Sequence, residues 1–191
     1  MNPKNILKSQ YHHLIKALSN NPYDFYRNHY VPDNDNILDM HISLRDIILS
    51  YNPVSVFDFG YGTGKNLKLL HEYNKSISLN GMDISPECQE IAQRLLPTAK
   101  LWCGSEALLK EIPDKSYDVS FTCSVLNHIP DIGNTMIELE RITKNVIILC
   151  ESMHQAKFFY PHNYTIHGYT CKDSYVTAVT LYDIYTKSLH V

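Results

Sequence analysis

Three glycines at alternate positions, Gly60, Gly62 and Gly64, follow directly on the apolar run Val56-Phe57-Asp58-Phe59. Glycine lacks a Cβ and tolerates positive φ, so a backbone spaced this way can lie close against a bound molecule. The residues beyond Gly64 begin a helical run, whose first amides then face the same ligand. Dinucleotide loops follow GxGxxG and rest a pyrophosphate on the helix end. Here the spacing is GxGxG, and a carboxylate at Asp58 would sit badly beside a pyrophosphate. The phosphate-loop pattern GxxxxGK followed by Ser or Thr is absent. Asp58 instead suits a ligand with a positive amino group.

A second acid, Asp83, closes the run Leu79-Asn80-Gly81-Met82. A carboxylate at a strand end about 20 residues past a glycine loop is placed to accept hydrogen bonds from two ribose hydroxyls. The alternative is an N-cap for the helix that starts near Pro86, although Ser85 serves that end better.

The segment from Asp58 to Gly64 resembles motif I of class I methyltransferases that use S-adenosylmethionine (SAM), in which an Asp or Glu precedes xGxGxG. The resemblance implies that Asp58 contacts the methionine part of SAM, with Gly60, Tyr61, Gly62 and Gly64 surrounding it. It also implies that Asp83 holds the ribose and Ile84 lies against adenine. Ser105, or next to it Glu106, takes the position that reaches the adenine amino group, with an ordinary helix cap as the other reading of Ser105. The run Tyr117-Asp118-Val119 through Val125-Leu126-Asn127-His128-Ile129-Pro130 resembles the same family's motif IV region. That makes Cys123 and Ser124 pocket wall. His128 then stands where the family often has a histidine, as a general base or in a local structural role. The resemblance covers roughly residues 54–151.

Methyl transfer from a sulfonium is an in-line displacement in which alignment supplies much of the rate. A base is needed only where the acceptor must lose a proton. The expected reaction moves a methyl group from SAM to an O or N atom of a small-molecule acceptor. A protein or RNA methyltransferase, or a catalytically silent SAM-binding partner subunit, is the alternative. The Asn/Asp-Pro-Pro-Tyr/Phe signature of many DNA and protein amino methylases is absent. Ligands in such sheets bind at the carboxyl ends of the strands, which directs attention to Glu151 and the stretch after it. Glu151, His154, Tyr160, His162, Tyr164 and His167 lie there, and Glu151 and His162 join His128 as candidates for orienting or deprotonating the acceptor.

The elements that must position these groups alternate in type. Strand-like runs at 54–59, 77–83, 99–103, 117–124 and 145–150 are separated by helical runs at 64–73, 86–96, 105–111 and 131–143. Such alternation predicts an α/β fold, a doubly wound and mostly parallel sheet with helices on both faces. Two β-branched or aromatic runs, 164–171 and 175–187, read as an antiparallel hairpin turning at Lys172-Asp173-Ser174 and completing seven strands. Apolar spacing predicts a helix over 6–19 and a second capped by Asn34-Asp35 and ending near Tyr51, with an aromatic, irregular stretch between them. The whole reads as one domain: a helical cap (1–52), a SAM-binding core (53–151), and an acceptor-side loop with the hairpin (152–191). Asn145 is expected to provide a left-handed cap between the last core helix and strand five.

Composition bounds the partners. The chain has 191 residues, 17 basic against 20 acidic, and a net charge of -3, which argues against nucleic acid as the main partner. No apolar run approaches the roughly 20 residues needed to span a bilayer. Five scattered cysteines without paired spacing fit reduced thiols in a cytoplasmic protein and no metal site. A homodimer stays open. Among the 14 tyrosines and ten histidines, Tyr160, His162, Tyr164, His167 and Tyr169 cluster late; aromatics on this scale read first as core and surface filler and second as a binding wall.

Overall fold

The computed structural model describes residues 15–16, 19–29, 37–152, 157–176 and 181–189. It holds a seven-stranded sheet in the order β3-β2-β1-β4-β5-β7-β6. The strands are β1 (Ser55–Phe59), β2 (Ser78–Asp83), β3 (Lys100–Cys103), β4 (Tyr117–Cys123), β5 (Thr143–Ser152), β6 (Thr170–Val176) and β7 (Leu181–Ser188). The first five pair in parallel, and β7 inserts antiparallel between β5 and β6. The expected doubly wound sheet with an antiparallel C-terminal hairpin is what the chain adopts.

Helices α1 (Pro22–Asn28), α2 (Asp39–Ser50), α3 (Lys65–Tyr73), α4 (Pro86–Leu95) and α5 (Gly133–Ile142) surround the sheet. Successive strand residues face opposite sides, which divides the core in two. Val56, Phe121, Val146 and Ile148 pack with Leu44, Ile48, Leu67, Leu70 and Ala92 of α2, α3 and α4. Phe57, Phe59, Ile147 and Leu149 pack with Met136, Leu139 and Ile142 of α5. Fully buried Phe57 and Phe121 each contribute about 1.5–3 kcal/mol relative to exposure.

Four local expectations need correction. Residues 22–28 form helix α1 rather than an irregular stretch, because Pro22 stands in its first turn and the Asn21 side chain accepts the Tyr23 N–H. Helix α2 starts at Asp39 behind Leu38, where the His41 imidazole accepts the Leu38 N–H; Asn34-Asp35 lie outside the described residues. Lys172, Asp173 and Ser174 do not turn but lie inside β6, at a register irregularity that lets polar residues stay in the strand. Asn145 has no left-handed backbone, since α5 passes straight into β5 at an extended Thr143. The helix expected over 6–19 falls almost wholly outside the described residues.

Candidate active site

A cavity of about 680 Å³ opens at the carboxyl ends of β1, β2 and β4, within the size range of small-molecule sites. The loop after β1 forms one wall. Gly60, Gly62 and Gly64 all have positive φ, at 84°, 55° and 86°, so a side chain at any of them is strained. A Cβ on Gly60 would also lie 2.2 Å from Val125 Cγ2. The Gly60 N–H donates to Met82 O at 2.7 Å, tying the loop to β2.

Asp58 is wholly buried, and neither carboxylate oxygen has a hydrogen-bond partner among the described residues. Burial, with Cys123 and Asp83 nearby, pushes its carboxyl well above the usual carboxylate range. An unpaired buried acid costs stability unless a ligand satisfies it. Asp83 differs. Its two oxygens accept the Gly62 and Ser85 N–H groups, each at 2.8 Å, and it lines the cavity with acceptor capacity to spare. Ser85 caps α4 through the Cys88 N–H, so Asp83 is not needed as that cap.

Gly60, Tyr61, Gly62, Asp83, Ile84, Cys123, Ser124 and His128 meet around the one cavity. Ser124 adopts a left-handed φ of 57°, a kind of strain that gathers at functional sites, and its buried hydroxyl has no partner among the described residues. Gly64 sits at the start of α3, behind the lining residues. Ser105 precedes a 3-10 helix, Glu106–Glu111, without capping it, and Glu106 rather than Ser105 reaches the cavity.

His128 ends a second 3-10 turn, Leu126–His128. Its ring packs against Tyr26 at 4.2 Å and Phe159 at 4.5 Å between centroids. Nδ1 lies 2.9 Å from Phe158 O; a carbonyl only accepts, so Nδ1 carries the proton and Nε2 a lone pair. Burial lowers its pKa to about 4, which keeps the imidazole neutral and able to take a proton.

The other two expected catalytic groups do not reach the cavity. Glu151 is not among the cavity-lining residues; it is fully buried, with Thr122 Oγ1 at 2.6 Å and the Val125 and Asn127 N–H groups on its carboxylate. Burial raises it to about 7. It holds the segment after β4 in place. His162 Nε2 lies 2.9 Å from Ile129 O and 3.1 Å from Leu126 O, a staple across that same segment. Tyr164 is buried, His167 is exposed, and His154 lies outside the described residues.

Sequence reasoning missed His41, Asn66 and Cys88, all of which line the cavity, whereas Tyr26 belongs to the aromatic stretch 23–30 that the sequence offers as a cover for the pocket. Asn66 lies two residues past Gly64 and was legible by position. Nothing in the sequence marked His41, which α2 brings in from the cap.

Residues 57–149 match a family model described as a methyltransferase domain. Over those residues the chain is similar to methyltransferase domains of the class I, SAM-dependent kind. Solved structures of like fold include a protein from Pyrococcus horikoshii, 14% identical with a TM-score of 0.62, covering 85% of this chain and 94% of that one. A SAM-dependent methyltransferase from Aquifex aeolicus is 15% identical at a TM-score of 0.55, covering 74% and 88%. The plantazolicin methyltransferase BamL, solved in complex with a triazolic desmethylPZN analog and SAH (S-adenosylhomocysteine), is 19% identical at a TM-score of 0.52, covering 62% and 52%. Against several such structures this chain spans about half of the other's length, as with BamL and with another at 47%. At these identities the likeness is one of fold. Among the described residues no helix is long and apolar enough to cross a membrane.

Proposed function

We propose that the cavity binds SAM and that the protein transfers its methyl group to an O or N atom of a small-molecule acceptor. The observation that carries this reading is the orphaned Asp58 carboxylate behind the glycine loop, with Asp83 lining the same cavity. A buried acid beneath the glycine loop, without a partner among the described residues, fits the α-ammonium of SAM, and Asp83 on the cavity wall fits a ribose diol. When bound, SAM supplies a methyl group already activated by the sulfonium.

This chain's residues would do the rest. Asp58 and the Gly60–Gly64 loop hold the amino acid end, Asp83 the ribose, and Ile84 with Glu106 the base. Cys123 and Ser124 form the wall after β4. Neutral His128 accepts a proton through Nε2 when the acceptor is a hydroxyl or an ammonium. Tyr23 and Tyr26 of α1 line the same cavity and limit entry to small acceptors. The net charge of -3 disfavours RNA. BamL, of like fold, methylates plantazolicin and was solved with a desmethyl analogue of it, which supports this reading over a protein acceptor.

The test is release of SAH from SAM in the presence of a panel of small hydroxyl and amine acceptors. Turnover that falls at least a hundredfold in Asp83→Ala supports the assignment. Stoichiometric SAM binding without transfer to any acceptor, small or macromolecular, would instead make the chain a silent partner subunit.

A further inference from the structure

Cys123 has surroundings that methyl transfer does not require. It ends β4, lines the cavity and is paired in register with Cys150 on β5. Both cysteines belong with the core on the α2, α3 and α4 side of the sheet, so their side chains share one face. His41 and Asn66, from α2 and α3, line the same cavity. Their donor roles are fixed by what else they touch. His41 Nδ1 accepts the Leu38 N–H at 2.9 Å, so in the neutral ring the remaining proton sits on Nε2. The Asn66 Oδ1 is buried with no partner among the described residues, while its amide group bonds Cys123. Cys150 keeps its proton and donates it to Cys123.

Three donors thus converge on one sulfur. Hydrogen bonding from Cys150, then His41 and Asn66, holds the Cys123 thiol below its ordinary range despite its burial and the nearby Asp58 and Glu151 carboxyls. Burial and its bond to Cys123 push the Cys150 thiol up. Redox-sensing cysteines share this design: an ionised, reachable sulfur poised beside a resolving thiol.

We propose that Cys123 is a redox-active thiol in the cavity wall, with Cys150 as its resolving partner, so that hydroperoxides switch the site off. The loss of cofactor binding in this scheme rests on the cavity's assignment to SAM; the oxidation itself does not. In the first step the Cys123 sulfur attacks one peroxide oxygen and the O–O bond breaks. The departing hydroxide leaves Cys123 as a sulfenic acid. In the second step the Cys150 sulfur attacks the Cys123 sulfur, its proton goes to the departing hydroxide, and water leaves as the S–S bond forms. The two cysteines lose two electrons and the peroxide gains them. The disulfide removes the anion beside Asp58 and locks the paired ends of β4 and β5 together at the cavity wall.

The experiment uses the full chain, hydrogen peroxide and mass spectrometry. The expected product is 2 Da lighter, with a Cys123–Cys150 cross-linked peptide. Cys150→Ala should halt at a sulfenic acid on Cys123 that dimedone traps. Iodoacetamide labelling of reduced Cys123 should change less than about threefold from pH 6.5 to 8, whereas an unperturbed cysteine in a peptide rises about tenfold per unit below its pKa of about 8.5. Thermal melting of Cys150→Ala checks that it is folded, and Cys123→Ser serves as a second variant that must give no dimedone adduct at this site. Oxidation confined to exposed Cys171, with Cys123 and Cys150 left free, overturns the proposal. SAH should protect Cys123 from peroxide. Oxidation that proceeds unprotected upholds the thiol pair and instead counts against the SAM assignment.

Discussion

Asp58 is the most informative residue to change, because its two roles pull in opposite directions. Asp58→Asn keeps the shape and removes the charge. In the ligand-free protein the carboxyl is buried without a partner and raised well above its ordinary 3.8. A group whose folded pKa is raised contributes stability below its unfolded pKa, and that stability is lost as pH climbs toward the folded value. Wild type should therefore lose stability from about pH 4 upward, and Asp58→Asn should lose less. Asn leaves an unpaired amide but no charge, so the variant is relieved of the extra penalty that the charge carries, on the order of 1–3 kcal/mol. At about 2–4 °C per kcal/mol for a chain of this size, the variant should melt about 2–12 °C higher at pH 8, with the gap closing toward pH 5. Binding should move the other way. A hydrogen bond to a charged group contributes about 1.5–3 kcal/mol, so SAM affinity should fall about 10–150-fold. Thermal melting across pH and titration calorimetry read the two effects on one sample. A variant that melts lower than wild type at pH 8 and binds SAM within twofold of it would refute the reasoning.

Other perturbations follow from the same geometry. Gly60→Ala sets a Cβ 2.2 Å from Val125 in a left-handed backbone; strain and overpacking together should cost about 2–5 kcal/mol in urea unfolding and distort the loop. His128→Gln should lower kcat about 10²–10⁴-fold with an acceptor that must lose a proton, leaving SAM binding within a fewfold of wild type. Because His128 sits near 4, wild-type turnover should persist on the acid side down to about pH 4 rather than decline through 6.5, as a pH–rate profile will show. Glu151 rises from 4.5 to about 7, so its contribution of about 3 kcal/mol is lost as pH climbs between those values. Glu151→Gln should flatten that part of the stability curve.

What the sequence made legible was local. The glycine loop, Asp83 at a strand end and the alternation of strand and helix all depend on neighbours in the chain. They led to the correct sheet and to a cluster that surrounds one cavity. The errors lie where tertiary placement decides. Glu151 lies at the expected strand end, yet Thr122 and the N–H groups of Val125 and Asn127, more than 20 residues earlier in the chain, engage its carboxylate within the core. His162 looked free in an aromatic stretch, but the carbonyls of Leu126 and Ile129, more than 30 residues earlier in the chain, claim its ring. His41 could not be found, since α2 joins the site only through packing on the sheet. The hairpin turn was misplaced because Lys172-Asp173-Ser174 has turn chemistry that an exposed edge strand also tolerates.

Titration calorimetry of the wild-type chain with SAH tests the central claim most directly, because it needs no acceptor. The expected result is one site per chain with a Kd of about 1–100 μM, or about −8 to −5.5 kcal/mol, and loss of that binding in Asp83→Ala. Absence of heat and of any thermal shift in folded protein, or binding that Asp83→Ala leaves intact, would contradict it.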